Sequence, residues 1–208
     1  MSTSPSPRGS RFFTIETRSP EETRRLGVAL SPLLLPGDVI ALAGDLGAGK
    51  TTFVQGLAAG LGVPERVTSP TFILMKEYLG GRYPLMHIDV YRLDTVQEVI
   101  DLGYDEFLDP SHIVVVEWGD VVEPLLPKDH LLVDIAVGDG DLLRRVTLSP
   151  RGSHWEDRME TVGVLASELF SVGREDEPEA PRGFDLLAPP AGGPGGIDGS
   201  TNGHQEEN

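Results

Sequence analysis

The spacing of apolar residues changes period several times along this chain, and each change predicts an element. Residues 12–17, FFTIET, alternate and are rich in β-formers, which predicts a short strand. SPEETRRLGVAL then carries a helix start, with Ser19 at the cap, Pro20 in the first turn and Glu22 three residues after the cap. After SPLLLPGD the run VIALAG is continuously apolar, the pattern of a strand buried on both faces of a parallel sheet. Phe53, Val54, Leu57, Ala58 and Leu61 recur at helical spacing until Gly60, Gly62 and Pro64 stop the helix. Residues 67–93 read as two strands about the Gly80–Gly81 turn, and residues 94–111 as helical, in one or two pieces, with Thr95 and Glu98 spaced as a capping box. HIVVVEWGD predicts another buried strand, residues 130–150 a hairpin around Gly138–Asp141, and HWEDRMETVGVLASELF a closing helix. Strands alternating with helices define an α/β class, with a mostly parallel sheet carrying antiparallel additions.

Composition bounds this picture. A chain of 208 residues is long enough for one domain with a core. Residues 1–10 and 171–208 are poor in core formers; the latter are dense in Gly, Pro and acid, and both segments are expected to be disordered. The ordered domain is therefore expected over residues 11–170. The first residues carry no apolar core of a signal peptide, and no run approaches the roughly 18 apolar residues of a membrane span. There is no cysteine, so neither disulfides nor thiol chemistry is available, and a soluble cytoplasmic protein is expected. The net charge of −16 disfavours direct binding to a phosphate backbone, because only part of it comes from the tail.

Between the VIALA strand and the Phe53 helix lies GDLGAGKT, Gly44 to Thr51, which fits G-x-x-x-x-G-K-[ST] in the required strand–loop–helix context. Such a loop wraps a phosphate chain with inward N–H groups, and the minimal side chains at Gly44, Gly47, Ala48 and Gly49 permit that approach. The helix beginning near Lys50 presents its positive dipole end to the same anion. Lys50 is expected on the β- and γ-phosphates, Thr51 on Mg²⁺ and Thr52 beside the α-phosphate, with Gly44, Asp45, Leu46, Gly47, Ala48 and Gly49 forming the rest of the nucleotide cradle. Asp45 is read as a turn former.

Two apolar runs end in an acid, Asp89 after LMHI and Glu117 after IVVV, and either could serve as the second metal-site group. Thr68–Thr71 lie where a loop sensing the γ-phosphate would fall. His87, Arg144 and Arg145 read as structural or surface positions; Arg92 and Trp118 admit a site role or plain packing.

The ordered set GDLGAGKTTF, SPTF, HIDVYRL, GYDEFL and VVEWGD resembles the bacterial TsaE (YjeE) family of tRNA threonylcarbamoyladenosine biosynthesis ATPases, over roughly Phe13 to Leu169. The resemblance implies a P-loop NTPase-like three-layer sandwich that uses ATP and Mg²⁺. It also implies work with TsaD and TsaB in placing a threonylcarbamoyl group on N6 of adenosine 37 in tRNAs reading ANN codons. By motif it puts Lys50 and Thr51 in the phosphate and metal roles, Glu117 in the second metal role, and Asp89 as the catalytic acid near the γ-phosphate. The SPTF segment corresponds to a switch-like loop. The tail departs from the family's compact form. A small-molecule kinase is the first rival, but no arginine-rich lid is evident. A nucleotide-gated scaffold with incidental hydrolysis is the second. A G protein is disfavoured, since none of the three lysines sits in a guanine-reading N-K-x-D or T-K-x-D element.

Overall fold

The computed structural model describes residues 12–93, 98, 108–140, 142–170 and 172–173. Its strands are β1 (Phe13–Thr17), β2 (Val39–Ala43), β3 (Met75–Tyr78), β4 (Leu85–Asp89), β5 (Ile113–Glu117), β6 (His130–Val137), β7 (Arg144–Arg151) and β8 (Val172–Gly173). The helices are α1 (Pro20–Leu30), α2 (Lys50–Leu61) and α3 (Ser153–Leu169). One sheet holds the strands in the order β3-β4-β5-β2-β6-β7-β1-β8. Its centre, β4-β5-β2-β6, is parallel, and the outer pairings on both sides are antiparallel.

Strand β2 is apolar at every position, and β5 at all but its last, because both of their faces are covered. In β2, Ile40 and Leu42 join the core beneath the helices, whereas Val39, Ala41 and Ala43 join a second core on the opposite face. Helices α1, α2 and α3 all contribute to the first core, through residues such as Leu26, Phe53, Leu57, Trp155 and Met159. The second core is closed by Val122 and Leu126, with Leu93, Leu108 and Leu125 packed against it. Most of the helical stretch expected over residues 94–111 lies outside the described residues, which omit 94–107 apart from Glu98.

Helix α1 begins as its sequence dictates. The Ser19 side chain accepts from the Glu22 N–H at 3.1 Å, while the Glu22 carboxylate reaches back to the Arg18 N–H at 2.7 Å. Helix α2 ends at Gly62 in the left-handed region, with φ +80°. Val172–Gly173, assigned by composition to the disordered tail, instead pair with Ile15 and Thr14 of β1, because that strand would otherwise leave a row of open hydrogen-bonding groups. The first residue of the expected domain and the remaining terminal residues lie outside the described set. Among the described residues no helix is long and apolar enough to cross a membrane.

Helices α1 and α2 meet at a glycine contact that sets how α2 lies over the sheet. A Cβ on Gly27 would stand 2.5 Å from the Phe53 carbonyl oxygen, and one on Gly56 would collide with the Arg24 carbonyl. Gly56→Ala is therefore expected to cost about 3 kcal/mol, the upper end for overpacking, since backbone cannot move aside as a side chain can. Denaturant melts should show a lower midpoint with an unchanged m-value; a loss below about 0.5 kcal/mol would mean the crossing is looser than described.

Candidate functional site

The carboxyl ends of β2, β5 and β4 lie side by side, so the loop after β2 meets the last residues of the other two. Asp89 and Glu117 are direct partners in the β4–β5 register, and Leu42 of β2 faces Glu117. A cleft of about 400 Å³ opens there, lined by the loop, Lys50, Thr51, Thr52, Ser69, Thr71, Asp89, Tyr91, Glu117 and Trp118. Ligands of open parallel sheets bind at this edge.

The loop is built on left-handed glycines, Gly44, Gly47 and Gly49. Gly47 has open space where a Cβ would point, consistent with a cradle for a ligand. Gly44 is glycine for another reason: a Cβ there would run into the Ile135 carbonyl of β6. Ala48 is likewise turned inward and fully buried, and its N–H closes a turn on the Asp45 carbonyl at 3.1 Å. Asp45 is exposed and acts through its main chain, as a turn former would. Gly44, Asp45 and Ala48 thus shape the loop, whereas Leu46, Gly47, Gly49, Lys50, Thr51 and Thr52 line the cleft. Helix α2 starts at Gly49 with no side-chain cap, so its first amides are left for an anion.

Lys50 is only 4% exposed. Its Nζ donates to the Gly44 and Asp45 carbonyls at 2.6 and 2.9 Å and lies 3.7 Å from the centre of the Trp118 ring. Burial pushes its pKa below the usual lysine value, and Glu117, Asp120, Asp89 and Asp45 oppose that shift. Burial raises the pKa of Asp120, whose Oδ1 has no hydrogen-bond partner among the described residues. The Thr51 hydroxyl donates to Glu117 Oε1 at 2.8 Å. Asp89 Oδ2 accepts from the Ser69 and Thr71 hydroxyls at 2.9 and 2.5 Å, and its Oδ1 from the Tyr91 N–H at 3.0 Å.

Two non-glycine residues among those described have positive φ, Leu74 at +65° and Trp118 at +62°. Leu74 ends the loop that carries Ser69 and Thr71, and Trp118 follows Glu117. Strain held at bulky residues is a mark of functional segments. Leu74 is kept in place by its N–H on the Pro70 carbonyl and its own carbonyl on the Asp89 N–H, each at 2.8 Å.

Three contributors escaped the sequence. His87, read as structural, places Nε2 2.8 Å from Glu117 Oε1. Arg144, read as a surface residue, donates Nε to the Ala48 carbonyl at 2.9 Å and so braces the loop from β7. Asp120 faces Lys50 electrostatically without lining the cleft. Only the alternation His87–Asp89, which puts both side chains on one face of β4, hinted at the first of these. Arg92 lies 4.3 Å from the centre of the Phe72 ring, and Arg145 is exposed.

A strand–glycine loop–helix unit at the edge of a parallel sheet, with a lysine, a hydroxyl and two carboxylates around one cleft, defines a P-loop fold. The family model for threonylcarbamoyl adenosine biosynthesis protein TsaE matches residues 17–146, and the chain belongs to that family. It is 46% identical over 149 residues to the tRNA threonylcarbamoyladenosine biosynthesis protein TsaE of Streptomyces coelicolor, covering 69% of this chain and 99% of the relative. Against the TsaE protein of Bacillus subtilis it is 44% identical over 140 residues, covering 67% of this chain and 87% of the relative. The crystal structure of Bacillus subtilis YdiB superposes with a TM-score of 0.65 at 37% identity, covering 74% of this chain and 96% of that one. The family's role lies in tRNA threonylcarbamoyladenosine biosynthesis.

Proposed function

We propose that this chain is a cytoplasmic Mg²⁺-dependent ATPase that works with TsaD- and TsaB-type proteins to place threonylcarbamoyl on N6 of adenosine 37 in tRNAs reading ANN codons. The observation that carries this reading is the convergence of Thr51, Glu117 and Asp89 where the Lys50 loop enters its helix. The donor set is chemically apt for Mg²⁺, a hydroxyl and carboxylates being hard oxygen ligands. Among the described residues no three His, Cys, Asp or Glu side chains form a metal cage, which suits an ion held jointly with substrate phosphates. Thr51 and Glu117 would hold it, and it would supply charge neutralisation at the phosphate oxygens.

The chain's own residues account for the remaining work. Lys50, released from the Gly44 and Asp45 carbonyls, binds the β- and γ-phosphates, and the free amides of α2 orient them. Asp89 is the group to orient or deprotonate the attacking water, but it is held by Ser69 and Thr71. A nucleotide that draws those hydroxyls away frees Asp89 and moves the 67–74 loop in one event. Exposed Leu46, Phe72 and Ile73 lie on the same two loops, at 76%, 83% and 62% exposure, and give a partner protein an apolar surface that senses the nucleotide state. Such coupling lets a partner carry the RNA, in keeping with the chain's acidity.

The isolated chain is expected to hydrolyse ATP slowly, with turnover changed by at least about 10-fold on adding the partners, because a group supplied in trans contributes on the order of 10³–10⁵ in related sites. Equal turnover with and without partners would count against the coupling. Mass spectrometry of tRNA from cells depleted of this protein should show loss of threonylcarbamoyladenosine; intact modification would defeat the pathway while sparing the ATPase.

A further inference from the structure

His87 has no place in the phosphate-loop motif, yet its fully buried ring touches the site. It sits on β4 opposite Val115 of β5, two register pairs below Asp89 and Glu117 and so on the same face of the sheet. Leu85, Val115 and Tyr78 around it belong to the apolar core, where an aliphatic side chain would fill the space without desolvating a polar ring. One ring nitrogen, Nδ1, is buried without a hydrogen-bond partner among the described residues. The other, Nε2, faces Glu117 Oε1 at 2.8 Å, so it carries the hydrogen and donates it. The same oxygen receives the Thr51 hydroxyl at 2.8 Å. Both tethers therefore act through Oε1, and Oε2 remains for a ligand.

We infer that His87 is a positioning residue for Glu117, fixing that carboxylate for a Mg²⁺-nucleotide. The inference rests on the nucleotide reading above and deepens it. When the Thr51 oxygen turns to the ion, His87 is the tether that stays, and it comes from a rigid strand rather than from the loop. Donors behind a metal-binding carboxylate keep it from rotating out of register, and their loss typically lowers metal affinity or activity by about 10–100-fold.

The test is calorimetric titration with ADP, in Mg²⁺ and in EDTA, of the wild type and of His87→Phe, His87→Gln and His87→Asn. The expected result for His87→Phe is about a 10-fold smaller gain in ADP affinity on adding Mg²⁺, with affinity in EDTA unchanged. His87→Gln should recover most of the gain, since its amide nitrogen reaches the position of Nε2, whereas the shorter His87→Asn should not. A full Mg²⁺ gain in His87→Phe, or an equal loss of affinity in Mg²⁺ and in EDTA, would show that the ring only fills the core and would overturn the assignment. If His87→Phe does not fold, the Gln and Asn variants decide, equal gains in both overturning it. Wild-type protein that takes up no ADP in either condition would overturn the nucleotide reading itself, a result distinct from any difference among the variants.

Discussion

Replacing Lys50 with alanine is expected to weaken Mg²⁺-ATP binding on the order of 100-fold while leaving the chain folded. The Nζ is nearly buried, donates to two carbonyls of its own loop and rests over the Trp118 ring, so a triphosphate meets a desolvated, pre-placed charge. Truncating one side of such a charge pair costs about 3 kcal/mol, and each 1.4 kcal/mol is tenfold in Kd. In the free protein the lost donor leaves the Gly44 and Asp45 carbonyls at the edge of an exposed loop, where water replaces it at a cost of about 1 kcal/mol. Lys50→Arg should fail to restore affinity, because a longer, planar guanidinium does not fit where a compact ammonium sits against the Gly44 and Asp45 carbonyls. Calorimetry checks both variants. A change of less than about 3-fold in Lys50→Ala would remove this residue from the phosphate site.

Asp89→Asn is expected to behave in the opposite way: ATP affinity within a few-fold of the wild type, and single-turnover hydrolysis lowered by about 10²–10⁴, the range for losing a positioned general base. The substituted amide would still accept a hydrogen bond through its carbonyl oxygen, so the loop of Ser69 and Thr71 stays latched, but it cannot take a proton from water. The split between binding and turnover matters, since an acid that only held the loop would change affinity and leave the chemical step alone. Normal turnover in Asp89→Asn would exclude it as the general base. A variant that binds ATP, fails to hydrolyse it and still supports repeated tRNA modification would favour the nucleotide-gated scaffold.

The candidate site was legible where its residues are contiguous. Gly44 to Thr51 is a single turn of chain followed by a helix, and both the apolar run before it and the helical spacing after it are local patterns. Asp89 and Glu117 were legible individually because each ends an apolar strand, but their being paired in register depends on β4 lying beside β5. The resemblance to TsaE assigned them separate roles; the residues alone left them interchangeable.

The long-range features were not legible in that way. Glu117 and His87 are 30 residues apart and Arg144 and Ala48 are 96 apart, and both contacts follow from the order of strands in the sheet. Glycine at position 44 was visible, but its cause was not, since the obstructing carbonyl belongs to β6. The pairing of Val172–Gly173 with β1 was hidden for the same reason: composition describes what a segment can bury alone, not an open sheet edge that can accept it. The sequence by itself determined the elements, the phosphate loop and the acids that end two strands, because periodicity and backbone freedom act over a few residues. Tertiary structure alone decided which hydroxyls hold Asp89, which imidazole holds Glu117 and what braces the loop, because those partners meet only once the sheet has set its strand order.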